Sequence, residues 1–221
     1  MKKLYGLIAV VLLAVALCGF SYFDDESDDF QFNLEALYDY QKTHECEELN
    51  VCSGNTAKTY MDYHMTTVVS SLQYQFIHNK LTVDKKTGFL YDDEGFIAVA
   101  LGSYYGVIGD RYYFTLESGI VLPLVKAEEK ADEDTDWSGC YHTSDGSVIE
   151  FVIDSDYAKG YFSSPSNGLV LDGNYNNYSL FSGSFIKVEK VLDEKLVKPV
   201  TYRFDDTVPY GIDIYNYASG Y

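Results

Sequence analysis

Basic residues are scarce in this chain: 16 Lys and Arg stand against 34 Asp and Glu, a formal net charge of −18 over 221 residues. Such a surface repels nucleic-acid phosphates and anionic lipid headgroups, so no nucleic acid is expected as a partner. It also repels anionic wall polymers at long range, although salt confines that field to about 8 Å. Acidic charge of this kind also simply keeps an exported protein soluble. Cysteine is thin, with four in all. Cys46 and Cys52 bracket a short acidic segment and can close a small loop in an oxidising compartment, which leaves Cys140 unpaired unless Cys18 is retained. A Cys140 nucleophile with His142 two residues on lacks any further mark of a catalytic dyad. Internal repeats and long helical periodicity are missing. No cofactor is expected.

One long apolar run is present. Lys2 and Lys3 precede Leu4 to Phe20, interrupted only by two glycines, and Ala14-Val15-Ala16 offers a small-x-small cleavage site. Cleavage there gives a secretory signal. Left uncut, the run through Phe23 approaches the roughly 20 residues that span a bilayer. Cys18-Gly19 hints at lipidation, although Leu17 is bulky for that. Each alternative sends the rest of the chain outside the cytoplasm, secreted or anchored to the outer face of the cytoplasmic membrane, with membrane contact only through this segment. The expected division is 1–23 signal or anchor, 24–58 acidic spacer with a short helix and loop, 59–191 β-domain, and 192–221 tyrosine-rich extension.

Asp24 to Asp29 hold five acids in six positions, a solvated spacer. Leu34, Leu37 and Gln41 follow helical spacing after Asn33, which predicts a short amphipathic helix over 33–43. Cys46 to Lys58 reads as loop. From Thr59 onward, short runs rich in Tyr, Phe, Val and Ile alternate with Gly, Asp and Asn, the pattern of β-structure. Strands are predicted at Ser71 to Ile77, Gly95 to Leu101, Tyr112 to Leu116, Ile120 to Val125, Val148 to Ile153 and Ser184 to Val191. Gly119 closes a tight hairpin between the third and fourth. The expected fold is mainly β: a small closed β-barrel of double-psi type with a short N-terminal helix, since closure removes exposed edges.

The phrases Lys58-Thr59-Tyr60-Met61-Asp62-Tyr63, Ser70-Ser71-Leu72-Gln73-Tyr74 and Val99-Ala100-Leu101-Gly102-Ser103-Tyr104-Tyr105-Gly106 form an ordered set. Lys130-Ala131-Asp132-Glu133-Asp134-Thr135-Asp136 and Asp145-Gly146-Ser147-Val148-Ile149-Glu150-Phe151 continue it. Together they resemble a group of uncharacterised exported proteins of Gram-positive bacteria. That group in turn resembles the double-psi β-barrels of lytic transglycosylases and related 3D and rare-lipoprotein-A domains. The resemblance implies cell-wall glycan or an envelope protein as partner. It also implies two acidic positions, aspartate in those barrels, which fall here on Glu128 and Glu150.

Cleaving a glycan by internal attack of a sugar hydroxyl needs one carboxyl group that first protonates the leaving oxygen and then accepts the attacking proton. Glu128 is the first candidate, with Glu150 its neighbour; the plain alternative makes Glu128 one acid on a solvated loop. Asp132, Asp134 and Asp136 alternate like oxygen ligands for calcium. Trp137 and Thr143 stand where an EF-hand needs Gly and Glu, so a charged hairpin tip is preferred over a metal site. His142 lacks a second histidine nearby for zinc. Trp137 can stack on a sugar or plug the barrel mouth, and Tyr104 with Tyr105 is the most suggestive tyrosine pair for glycan contact. A non-catalytic wall- or protein-binding module, or an accessory of a secretion or conjugation apparatus, are the other readings.

Overall fold

The computed structural model describes residues 32–164, 168–169 and 173–192. The apolar N-terminal run, the acidic spacer and the extension after Leu192 lie outside the described residues. The strands are β1 (Cys46–Leu49), β2 (Thr59–Asp62), β3 (Thr82–Val83), β4 (Leu90–Tyr91), β5 (Ile97–Leu101), β6 (Arg111–Leu116), β7 (Val121–Glu129), β8 (Glu150–Ile153), β9 (Ser163–Ser164), β10 (Gly168–Leu169) and β11 (Phe185–Val191). Among the described residues two α-helices join them, α1 (Leu72–Lys80) and α2 (Ser155–Phe162).

The fold is mainly β. Nine strands form one mixed sheet in the order β1-β11-β6-β7-β5-β4-β3, with β8 added to β5 and β2 to β8. The path ends at β1 and β3 and is not closed into a barrel. Two pairings are parallel, β5 with β7 and β2 with β8. The β6–β7 hairpin forms as expected, with Gly119 at φ +87° where no Cβ is tolerated cheaply. β5 is apolar throughout because both faces of the sheet are covered. Ile97, Val99 and Leu101 point into one cluster with Leu34, Phe162 and Phe181, whereas Ala98 joins Ile77 and Val152 on the other side.

Three expectations change. Ser71 to Ile77 is helical, not extended: Ser71 caps α1 by accepting the amide of Tyr74, and Ile77 buries against the sheet. The predicted loop after Cys46 opens with β1, which pairs with β11. The N-terminal helix is a single 3-10 stretch, Leu34–Asp39, capped by Asn33 and buried through Leu34 and Leu37.

The aromatic content is concentrated in the larger cluster. Phe89, Phe151, Phe162, Tyr175 and Phe181 form a mutually tilted group with centroids as close as 5.0 Å. Each such pair adds about 0.5–1.5 kcal/mol beyond its burial.

The cysteines pair differently from the expected local loop. Cys52 is bonded to Cys140, 88 residues away, with Cα atoms 5.8 Å apart, and Cys46 is free. The extended β1 carries Cys46 away from Cys52 at about 3.3 Å per residue. Cys140 is therefore not a thiol nucleophile.

Candidate functional site

Glu128 lies near the end of β7 and Glu150 begins β8, and β5 runs between them. Ala100 is the register partner of both. Residues level in adjacent strands share a face, so the two glutamates project from the same side, their Cα atoms two strand spacings or roughly 9–10 Å apart. Ala100 offers nothing beyond a methyl group between them.

A one-residue irregularity sets this arrangement. Val99 pairs with Lys126, but Ala100 pairs with Glu128, so Ala127 is an extra residue in β7. Strict alternation would send Glu128 to the side of Lys126. The bulge instead keeps it on the side of Ala127, which packs with Ala98 and Val152. Glu129 is turned the opposite way and pairs with the fully buried Lys126 at 2.6 Å.

Both carboxyl groups are half-buried, and Ala100 between them is 1% exposed. Burial raises the pKa of Glu128; a hydrogen bond from Thr66 Oγ1 at 3.1 Å opposes this, and the charges of Glu150 and Glu129 add to it. Burial also raises Glu150, opposed by Lys130 and His142 and reinforced by Asp145. Lys130 is itself buried, its Nζ donating to Ser147 O at 3.0 Å and Ser147 Oγ at 3.1 Å. The two glutamates thus differ in surroundings. Glu150 has cations near it, and Glu128 has a hydroxyl and two like charges.

Thr66 belongs to a short segment before α1 in which Met65, Val68 and Val69 are exposed, as is Leu72 at the start of the helix. The stretch from Tyr63 to Val83 contains no acid. The segment that reaches Glu128 through Thr66 is thus free of acids on an otherwise acidic chain.

The other expected residues gather around a second feature. Asp136 does not act as a free ligand: its carboxylate accepts the amides of Ser138, Cys140 and Tyr141 and the Ser138 hydroxyl. Desolvation pulls its pKa upward, but together these bonds outweigh it and hold the value at about 2. Asp132 accepts from Ser103 Oγ at 2.7 Å, and Asp134 uses its backbone carbonyl to hold Thr143. No group of three His, Cys, Asp or Glu among the described residues is arranged for a metal ion.

Trp137 sits at the tip of this turn and is 98% exposed, so it plugs nothing. Gly139 O accepts from the amide of Tyr104, and a Cβ on Gly102 would run into the Gly139 carbonyl while one on Gly139 would run into Ser103 Oγ. Tyr104 is on the exposed side of a 3-10 turn, whereas Tyr105 is buried and donates to Cys52 Sγ at 2.9 Å. His142 bonds Ser144 Oγ at 2.9 Å and lies on the Glu150 side. His64 and His78 pack on Tyr63 and Tyr74.

Sequence reasoning missed Ala100, Thr66 and Lys130 as parts of the site. Comparison with known protein families, curated proteins and solved structures finds no match.

Proposed function

We propose that this is an exported cell-envelope protein that engages peptidoglycan or a related glycan, with Glu128 as a lytic-transglycosylase-like acid and base. The observation that carries this reading is the register of two half-buried glutamates on either side of Ala100. A carboxyl group raised by burial stays protonated closer to neutral pH, as a general acid must. Glu128 is favoured for that role because no cation stands among its surroundings, while Lys130 and His142 favour an ionised Glu150. The kinship with double-psi barrels belongs to the same proposal, supported by two parallel pairings within one small mixed sheet. Incubation with peptidoglycan should release anhydro-sugar products. Products undiminished in a Glu128→Gln, Glu150→Gln double variant would remove both assignments.

A second reading has its own observation. Trp137 is presented on a turn whose every bend is fixed by the Asp136 carboxylate, and a rigid exposed aromatic is an economical anchor. In this reading the protein binds wall material or an envelope protein through Trp137 and Tyr104 without turnover. Binding to insoluble wall that survives the double Glu variant and is lost in Trp137→Ala would select it.

A further inference from the structure

Lys58, just before β2, is 0% exposed, and no carboxylate forms an ion pair with it among the described residues. Its Nζ lies 2.7 Å from Gly183 O, 3.1 Å from Thr56 O, 3.3 Å from Asn176 Oδ1 and 4.7 Å above the Phe185 ring. Burial pushes its pKa down to about 8, against the field of Glu117. A substantial fraction of the amine is therefore neutral in mildly alkaline solution. A neutral amine has two N–H groups and one lone pair. Nζ donates to all three of these oxygens; in the neutral amine the Thr56 and Gly183 carbonyls can take the two protons, which leaves the lone pair on the side of the Asn176 side chain.

That amide is already activated and held. Asn176 Oδ1 accepts the Gly183 amide at 2.9 Å, a donor placed where charge would develop on a tetrahedral oxygen. The Asn174 side chain accepts both the Lys58 and the Asn176 backbone amides, and Tyr175 N donates to Lys58 O at 2.9 Å. Two of these bonds, at Lys58 N and at Lys58 O, hold the two segments together beside the pair, the positioning that turns a slow encounter into an intramolecular reaction.

We propose that Lys58 and Asn176 join in an intramolecular amide bond. The neutral Nζ attacks Asn176 Cγ, the Cγ–Nδ2 bond breaks, and the Nδ2 group departs as ammonia after gaining the proton lost by Nζ. No oxidant or cofactor takes part. Glu117, whose field reaches Lys58 and whose Oε2 accepts the Ser184 amide at 3.2 Å, makes no ion pair with Nζ and is open to water, so it would relay the proton through solvent. The bond would close a loop between positions 118 apart, a second covalent tie next to Cys52–Cys140.

Proteolytic mapping of the full, disulfide-bonded chain tests this. The expected product is one branched peptide containing Lys58 and Asn176, about 17 Da lighter than its two linear parts. Lys58→Arg and Asn176→Ala should each give only linear peptides. Glu117→Gln alters an exposed side chain and leaves both reacting groups in place, and should slow formation without abolishing it. Linear Lys58 and Asn176 peptides from folded protein held at about pH 8 would overturn the proposal. So would a mass loss confined to Asn167-Gly168, where a succinimide loses the same ammonia.

Discussion

Glu128 and Glu150 stand level with each other across β5, each opposite Ala100. The methyl group of Ala100 keeps the space between them free of side chain. Ala100→Val should fill it and cost about 1–3 kcal/mol through overpacking. Urea unfolding reads the cost, and the same variant should lose glycan turnover or binding. A variant that keeps full activity would show that the intervening space is not used.

The pH dependence of stability follows from the same pair. Burial raises both carboxyl pKa values, so the folded protein retains protons that the unfolded chain has released. Their contribution is most favourable below about pH 4, where both states are protonated, and declines as pH rises through the raised folded values. Glu128→Gln with Glu150→Gln should therefore be more stable than the parent at neutral pH. The advantage should shrink as pH falls toward the ordinary glutamate range. Thermal unfolding across that range checks it, and a constant difference would contradict it.

The disulfide closes a long loop. Replacing both Cys52 and Cys140 with Ser should cost about 4 kcal/mol, since the unfolded chain regains the freedom of 88 residues. Denaturant midpoints with and without reductant should show the same loss in the parent protein. Cys46→Ser should leave the midpoint nearly unchanged.

Arg111 holds three carboxylates at once, Asp92 and Glu94 at 2.6 Å and Asp93 at 2.9 Å. Asp92 is buried, and burial raises its pKa despite the arginine. Arg111→Met leaves that carboxyl unpaired in the interior, a loss of about 3–5 kcal/mol. Adding Asp92→Asn should recover part of it. Calorimetry on the single and double variants measures the coupling.

Trp137→Ala should alter stability by less than about 0.5 kcal/mol, because a side chain standing in water makes almost no internal contact. Wall binding measured by sedimentation should fall sharply if the indole is an anchor. Unchanged binding would assign the contact elsewhere.

The hairpin of β6 and β7 was readable from alternation and from Gly119, and β5 from its continuous apolar run, because those signals are local. Helix α1 was not: Tyr74, Phe76 and Ile77 favour strands by composition, and the Ser71 cap with burial of Ile77 decided otherwise. The Cys52–Cys140 pairing has no local mark, since the partners are far apart in sequence. The two acidic positions stand out in the sequence only through the resemblance, and the face of Glu128 is not derivable from it. Nothing in Lys126-Ala127-Glu128 announces a bulge, which depends on how β7 fits β5.

The extra residue Ala127 has a genetic corollary. Loss of one codon there would remove the bulge yet leave Glu128 opposite Ala100, because the residue directly after Lys126 alternates to the other face. The side-by-side acids would thus survive a one-residue deletion between Lys126 and Glu128. When orthologues are aligned, a single gap in this strand need not mark the loss of the pair.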